Sequence, residues 1–220
     1  MQQTLVWKPW AHPGVENLRL HMDSNGIHAS SHLLLSLNGH SLAATYVVDY
    51  DPRWRFRRLW LKVDNLGQKS LSLQRDIRGN WYHNGEPRPD LAPCQQPMLS
   101  ASPFTHTPAL QRCALETGQS EQLQVAYIDL LSLEIEPRPQ RYLCLRQQAE
   151  QSSYRYETPG TPASELTLDR HGLLIQASEQ YLRLSARTLA PLTSVERLHA
   201  SKDGVSQPPT RPAAQPATIL

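Results

Sequence analysis

Arginines, aromatic rings and one histidine are the residues of this 220-residue chain best suited to chemistry. In "RWRFRR", strand-like alternation would place Arg53, Arg55 and Arg57 on one face and Trp54 and Phe56 on the other. Guanidinium groups donate in pairs to phosphate, sulfate or carboxylate oxygens, so such a strip suits an oxyanion head group. The aromatic face would then line an apolar cavity. A solvated strand face paired to neighbouring acids fits the same letters. Leu59, Leu61 and Val63 continue the arginine face, as at the rim of an amphiphile pocket or where a strand leaves a core. In "QRDIRGNWYHNGEP", Asp76 can accept from sugar hydroxyls and Trp81 can offer a ring and an indole N–H. A hairpin with a core tryptophan explains that stretch equally well. "QRYLCL" and "SYRYE" supply Gln140, Tyr142, Tyr154 and Tyr156, rings with polar tips. "SPFTHTPALQR" sets Thr105, His106 and Thr107 between Pro103 and Pro108, with Arg112 following. His106 has the chemistry of a general base, yet no acid stands near it in sequence to orient it.

Several established chemistries are missing. The sequence has no G-x-S-x-G, no G-x-G-x-x-G, no phosphate-binding G-x-x-x-x-G-K-[ST] and no H-E-x-x-H. His28 and His32 have the i, i+4 spacing of a helical metal pair, but they sit in an extended segment, where that spacing is too long for most single metal sites. No metal or cofactor is expected. Cys94, Cys113 and Cys144 are odd in number and far apart, which argues for reduced thiols over a disulfide framework or a zinc ribbon. Lys and Arg total 22 against 20 Asp and Glu, without the basic excess of a dedicated nucleic-acid binder. The opening residues show no basic leader before an apolar core, and no aliphatic run is long enough to span a bilayer. A soluble cytoplasmic protein is the expectation.

The elements that must position these residues are strands. "TYVVDYD", "SLSLQRDI", "QVAYIDLLSLEI", "SELTLDRHGLLIQ" and "QYLRLSA" alternate apolar and polar letters between glycine-marked turns. Alternation sends successive side chains to opposite sheet faces. Many such short runs predict an antiparallel barrel or strongly curved sheet. In "SLSLQRDI" the phase puts Leu71, Leu73, Arg75 and Ile77 together. Helical spacing is confined to "ALQRCAL", with Pro108 in the first turn and Thr107 as N-cap. Residues 87–103 are proline-rich and lack alternation, and with the short helix they predict a lid over the sheet at about residues 87–115. Beyond Ala186 the chain is rich in Pro, Ala and Ser, so a β domain at 1–186 and a flexible tail at 187–220 are expected.

In this order and spacing the blocks resemble the "putative glycolipid-binding" family, once a bacterial domain of unknown function. The resembling pieces are "GVE", "YVVDYDPRWRFRRLWLKV", "RDIRGNWY", "SPFTHTPALQR", "VAYIDLLSLEIEPRPQRY", "YRYE" and "LTLDRHGLLI", spanning about residues 4–186. The resemblance implies a half-open β-barrel like that of bacterial lipoprotein carriers, with an apolar interior and a helical or loop lid. The family's central block reads T-P-x-T-N, then a proline and two arginines. Here Ser102 opens the block, His106 stands at the Asn position, and Gln111 replaces the first arginine. Thr105, Pro108 and Arg112 follow the pattern, as do Trp54, Arg55, Asp76, Trp81, Tyr142 and Tyr156.

The expectation is therefore a mainly β chain: a curved antiparallel sheet forming an incomplete barrel, with a short lid. It would bind a glycolipid or other amphiphile without chemistry. Arg53, Arg55, Arg112, Asp76 and Trp81 would take the head group, and Trp54, Thr105, His106, Tyr142 and Tyr156 would complete the site. The competing expectations are a hydrolase or isomerase using His106 and Asp76, and an interaction protein whose interior is filled by its own side chains.

Overall fold

The computed structural model describes residues 1–185 apart from 38 and 66; the expected boundary at residue 186 and the tail 187–220 lie outside the described residues. The alternating runs form fifteen strands: β1 (Gln2–Pro9), β2 (Gly14–Asp23), β3 (Gly26–Leu37), β4 (His40–Tyr50), β5 (Phe56–Asp64), β6 (Gln68–Arg75), β7 (Trp81–His83), β8 (Glu86–Pro87), β9 (Cys94–Leu99), β10 (Ser120–Ile128), β11 (Ile135–Gln147), β12 (Gln151–Glu157), β13 (Ser164–Asp169), β14 (Leu174–Ala177) and β15 (Tyr181–Arg183). The helix α1 spans Thr107–Cys113. None of the described helices is long and apolar enough to cross a membrane.

All fifteen strands belong to one sheet, ordered β8-β7-β6-β5-β4-β3-β2-β1-β15-β14-β13-β12-β11-β10-β9. The chain winds outward from β1 to β8, jumps to the opposite edge at β9, and winds back until β15 pairs with β1. Every pair is antiparallel except β9 with β10. This order forces curvature. Laid flat, fifteen strands would set the two edges about 65 Å apart. Only residues 88–93 connect those edges, and so short a chain reaches at most about 25 Å. The sheet must therefore curl until its edges approach. It does not close, because β8 and β9 share no ladder. Side chains hold the seam instead: the Trp81 indole donates to the Cys94 carbonyl at 3.2 Å, and Arg88 donates to the Ile135 carbonyl at 2.9 Å.

The concave face carries the apolar phase of each strand. On β4 it presents Leu42, Ala44, Tyr46, Val48 and Tyr50, and on β6 Leu71 and Leu73. The region expected as a loop lid is more ordered than its composition suggests. Cys94–Leu99 is a strand, and it lacks alternation because nearly all of it is buried. The lid proper is a single 3₁₀ turn, Pro103–His106, running into α1. His106, already helical, occupies the cap position expected for Thr107, and the Thr107 hydroxyl is buried without a partner. Residues 101–110 are buried throughout. Phe104 belongs to the buried cluster that holds Leu5, Trp7 and Leu18 of the first half of the sheet, and Leu110 to the cluster that holds Val125, Tyr154 and Leu166 of the second. The segment thus fills the space between the two halves.

Candidate functional site

The arginine run is not one continuous strand. After β4 the chain turns on Asp51, whose Oδ1 accepts the backbone N–H groups of Arg53 and Arg55, each at 2.9 Å. Its Oδ2 accepts Arg55 Nε at 2.7 Å and the Arg57 guanidinium at 3.4 Å. Desolvation is the largest single effect on the Asp51 carboxyl and acts to raise it, but these bonds and the Arg55 charge together hold it below its ordinary value. Trp54 takes a left-handed backbone, φ 60°, inside this turn and buries its ring against Tyr50 and Phe104. The β4–β5 register then shifts by one residue, pairing Asp49 with Arg58 but Tyr50 with Phe56. Arg57 is the extra residue of that bulge. Consequently Phe56 shares the concave face with Leu59, Leu61 and Val63, and Arg57 and Arg58 both point outward. The expected continuity between the arginines and Leu59 does not exist.

Asp76 repeats the same device after β6. Its Oδ1 accepts the N–H groups of Arg78 and Asn80, both at 2.8 Å, and its Oδ2 accepts the Asn80 amide at 2.9 Å. These bonds lower its carboxyl. Gly79 turns the chain at φ 92°, and a Cβ there would lie 3.3 Å from the Arg75 guanidinium. The two aspartate turns face each other across a pocket of about 270 Å³ lined by Arg55, Arg57, Arg75, Asp76, Ile77 and Arg78. Arg75 lies 5.9 Å over the Trp81 ring. Burial, then the charge of nearby Arg112, holds Arg75 below the ordinary guanidinium value. Buried N–H groups of both, Arg75 Nε and one terminal nitrogen of Arg112, have no hydrogen-bond partner.

A second cleft, also about 270 Å³, opens where the filling segment meets β1, β9, β10 and β11. Met98, Leu99 and Ala101 give it an apolar side, and His106, Tyr127, Tyr156 and Tyr181 give it rings. Thr158, Thr161 and Gln180 add polar groups to its lining, and Arg138 covers the Tyr127 ring at 3.4 Å. His106 is fully buried and packs edge-on against Tyr156 at 4.7 Å between ring centroids. Burial drives its pKa down to about 4, so the imidazole is neutral at pH 7. The Tyr142 hydroxyl donates to Gln140 Oε1 at 3.2 Å. With that hydroxyl proton directed to Gln140, His106 Nδ1, 3.0 Å away, is the donor to the Tyr142 oxygen.

Beneath the cleft lies a buried carboxylate, Glu16. Oε1 accepts three hydroxyls: Tyr46 at 2.7 Å, Ser31 at 2.8 Å and Ser102 at 2.9 Å. Oε2 is buried without a partner. Burial raises the group to about 7, against the opposing effect of the three hydroxyls. Ser102 lines the cleft, so a serine, a histidine and a glutamate meet in one region. They are not wired as a nucleophile relay. The carboxylate holds the serine, and the histidine is held by a tyrosine.

The family model described as "putative glycolipid-binding" matches residues 4–183 of this chain. The chain belongs to that family. A solved DUF1089 family protein from Pseudomonas aeruginosa is similar at 27% identity, with a TM-score of 0.68, covering 77% of this chain and 92% of its own. A solved protein of the DUF1849 domain from Brucella abortus, titled beta-barrel-like, aligns at 9% identity and a TM-score of 0.48, over 82% of this chain and 91% of its own. No curated protein matches the chain.

In this member of the family the sequence candidates divide between the two pockets. Arg55 and Asp76 line the arginine pocket, with Arg112 close behind Arg75. His106 and Tyr156 line the cleft, and Tyr142 stands fully buried behind His106. Arg53 contributes only a backbone N–H, and its side chain is exposed outside both pockets. Trp54 and Trp81 are core: Trp81 stacks on Phe56 at 5.1 Å and spends its indole N–H on Cys94, so neither ring is offered to a ligand. Thr105 donates to the Ser102 carbonyl at 2.7 Å and shapes the turn. His106 and Asp76 line different pockets, so they do not form a pair.

Glu16, Arg75 and Arg138 were missed. Glu16 has the same strand phase as Leu18 and Leu20, and Arg75 the same phase as Leu71 and Leu73. A charged letter on the apolar phase is the signal that marks both. Arg138 carries no such mark, because its role comes from packing on a ring of the adjacent strand.

Proposed function

We propose that this chain binds an amphiphile non-catalytically, receiving a sugar-like head in the cleft between the filling segment and β10–β11. The carrying observation is the make-up of that cleft, in which the rings of Tyr127, Tyr156 and Tyr181 stand among Thr158, Thr161, Gln180 and Arg138. Sugars offer an apolar ring face and a girdle of hydroxyls, and such a lining answers both. The family description supports the same class of ligand. At about 270 Å³ the cleft lies at the low end of small-molecule sites. It suits a sugar ring with a short apolar segment. A longer tail would follow Met98, Leu99 and Leu35 toward the mouth, because the hollow of the sheet is already filled.

The neutral His106, held by Tyr142 and lacking a carboxylate partner, supports binding without turnover. The test is native mass spectrometry of gently purified protein, followed by titration with octyl glucoside and with a sugarless octyl detergent. The expected result is a co-purified amphiphile, preference for the glucoside, and about tenfold weaker binding in Tyr156→Ala. Equal response to both detergents would overturn the sugar assignment. Release of free sugar or fatty acid from the bound amphiphile would overturn the non-catalytic one.

A further inference from the structure

The arginine pocket is unaccounted for by the cleft, and its features point to a different contact. Four guanidinium groups, Arg55, Arg57, Arg75 and Arg78, surround it, and Arg112 lies behind. Two carboxylates, Asp51 and Asp76, oppose them. Asp51 pairs with Arg55 and Arg57, and Asp76 is engaged by its own turn, so two negative charges stand against four positive ones and the pocket stays cationic. Arg55 spends its Nε on Asp51. Arg75 has a buried Nε with no partner, as does one nitrogen of Arg112. Arg75 and Arg78, which line the pocket, make no ion pair among the described residues, so an oxyanion seated there would supply the acceptor they lack.

A second observation says where that oxyanion comes from. Ile77, at the tip of the Asp76 turn, is 89% exposed, the most exposed large apolar side chain described. It lines the same pocket and lies between Asp76 and Arg78. An isoleucine held in water beside four arginines has no packing role in the fold. It has one at a lipid surface, where phosphates lie directly above an apolar layer.

We propose that this pocket grips the phosphate of an anionic lipid headgroup at a membrane surface, with Ile77 entering the apolar layer beneath. The aspartate turns hold the arginine forks at the phosphate level, and the tip residue reaches past them. The contact does not depend on what the cleft holds.

Sedimentation of the full chain with lipid vesicles tests this. Phosphatidylcholine vesicles, the same vesicles containing phosphatidylglycerol, and inorganic phosphate in solution are the three arms. Partitioning is expected only onto the anionic vesicles, falling as salt rises. Ile77→Ser should weaken it roughly tenfold and Arg75→Gln about fivefold. Arg146→Gln, which removes an exposed charge elsewhere, should change it little. Ile77 is exposed, so its substitution leaves the fold intact and keeps the test decisive if Arg75→Gln fails to fold. Binding of inorganic phosphate without vesicle binding would overturn the membrane assignment in favour of a soluble phosphate ligand. Equal losses from Arg146→Gln and the pocket variants, or no binding to any probe, would overturn the site.

Discussion

Replacing Glu16 with glutamine should change how stability depends on pH, and the structure fixes the sign. Two effects compete at this carboxyl. Burial with an unpartnered Oε2 favours the protonated form, and three hydroxyl donors on Oε1 favour the charged form. Burial wins, lifting the group from 4.5 to about 7. The folded chain therefore holds this proton more tightly than the unfolded chain. Its contribution is fully present below pH 4.5, declines as pH rises, and is gone above about 7. At about 1.4 kcal/mol per pH unit, the decline amounts to about 3 kcal/mol. Glutamine keeps an acceptor for the three hydroxyls and cannot titrate. Urea unfolding of both proteins, followed by tryptophan fluorescence from about pH 4 to about 8, gives a stability difference free of every other titrating group. That difference should move by about 3 kcal/mol in favour of Glu16→Gln as pH rises. A constant difference would refute the burial argument. Movement the other way would show that the three hydroxyls outweigh it.

His106 should give the opposite slope. Its folded value is depressed from 6.5 to about 4, so its contribution is present above pH 6.5 and is lost as pH falls toward 4, by about 3 kcal/mol. His106→Asn, which keeps a donor for Tyr142, should remove that loss when assayed by the same urea unfolding. Trp81→Ala should cost about 3–5 kcal/mol in urea unfolding, through the lost stack on Phe56 and a cavity at the seam. Trp81→Phe keeps the ring and loses the bond to Cys94, so about 1 kcal/mol is expected. Phe104→Ala should cost about 3–5 kcal/mol and raise binding of an apolar dye, because it empties the centre of the filling segment.

Much of the fold was legible because alternation is a local signal. "SELTLD" shows its buried phase letter by letter, and "SLSLQRDI" does so through Leu71 and Leu73, but the strand ends at Arg75 and Ile77, expected on the same face, lies beyond it in the Asp76 turn and is exposed. Where a strand is buried on both faces the signal disappears. Cys94–Leu99 lies at a sheet edge beneath the filling segment, so its letters follow no period and Pro97 makes it read as a loop. The bulge at Arg57 was hidden for a different reason. One inserted residue reverses the phase of everything after it, and "RWRFRRLWL" does not say where the insertion falls. Curvature was legible only as a class. The geometric reason for it, two sheet edges joined by residues 88–93, needs the strand order, which is a set of long-range pairings.

The site was legible by residue type and illegible by grouping. Arg55 and Asp76 line one pocket around Arg75, whereas Arg112 is not in its lining and bears on it only through its charge on Arg75. His106 was weighed with Asp76 because both are titratable, yet topology divides them. Asp76 sits in the turn after β6, and His106 sits within the segment that fills the sheet. That segment has contrasting ends. Near its start, Ser102 and His106 line the cleft and are tied to Glu16 and Tyr142. At its close, Arg112 adds its charge to the arginine pocket. The same short run of residues therefore bears on both pockets. Any movement that admits a long apolar tail into the hollow must break the Glu16 and Tyr142 ties first, which makes those two bonds the measure of how firmly the interior stays shut.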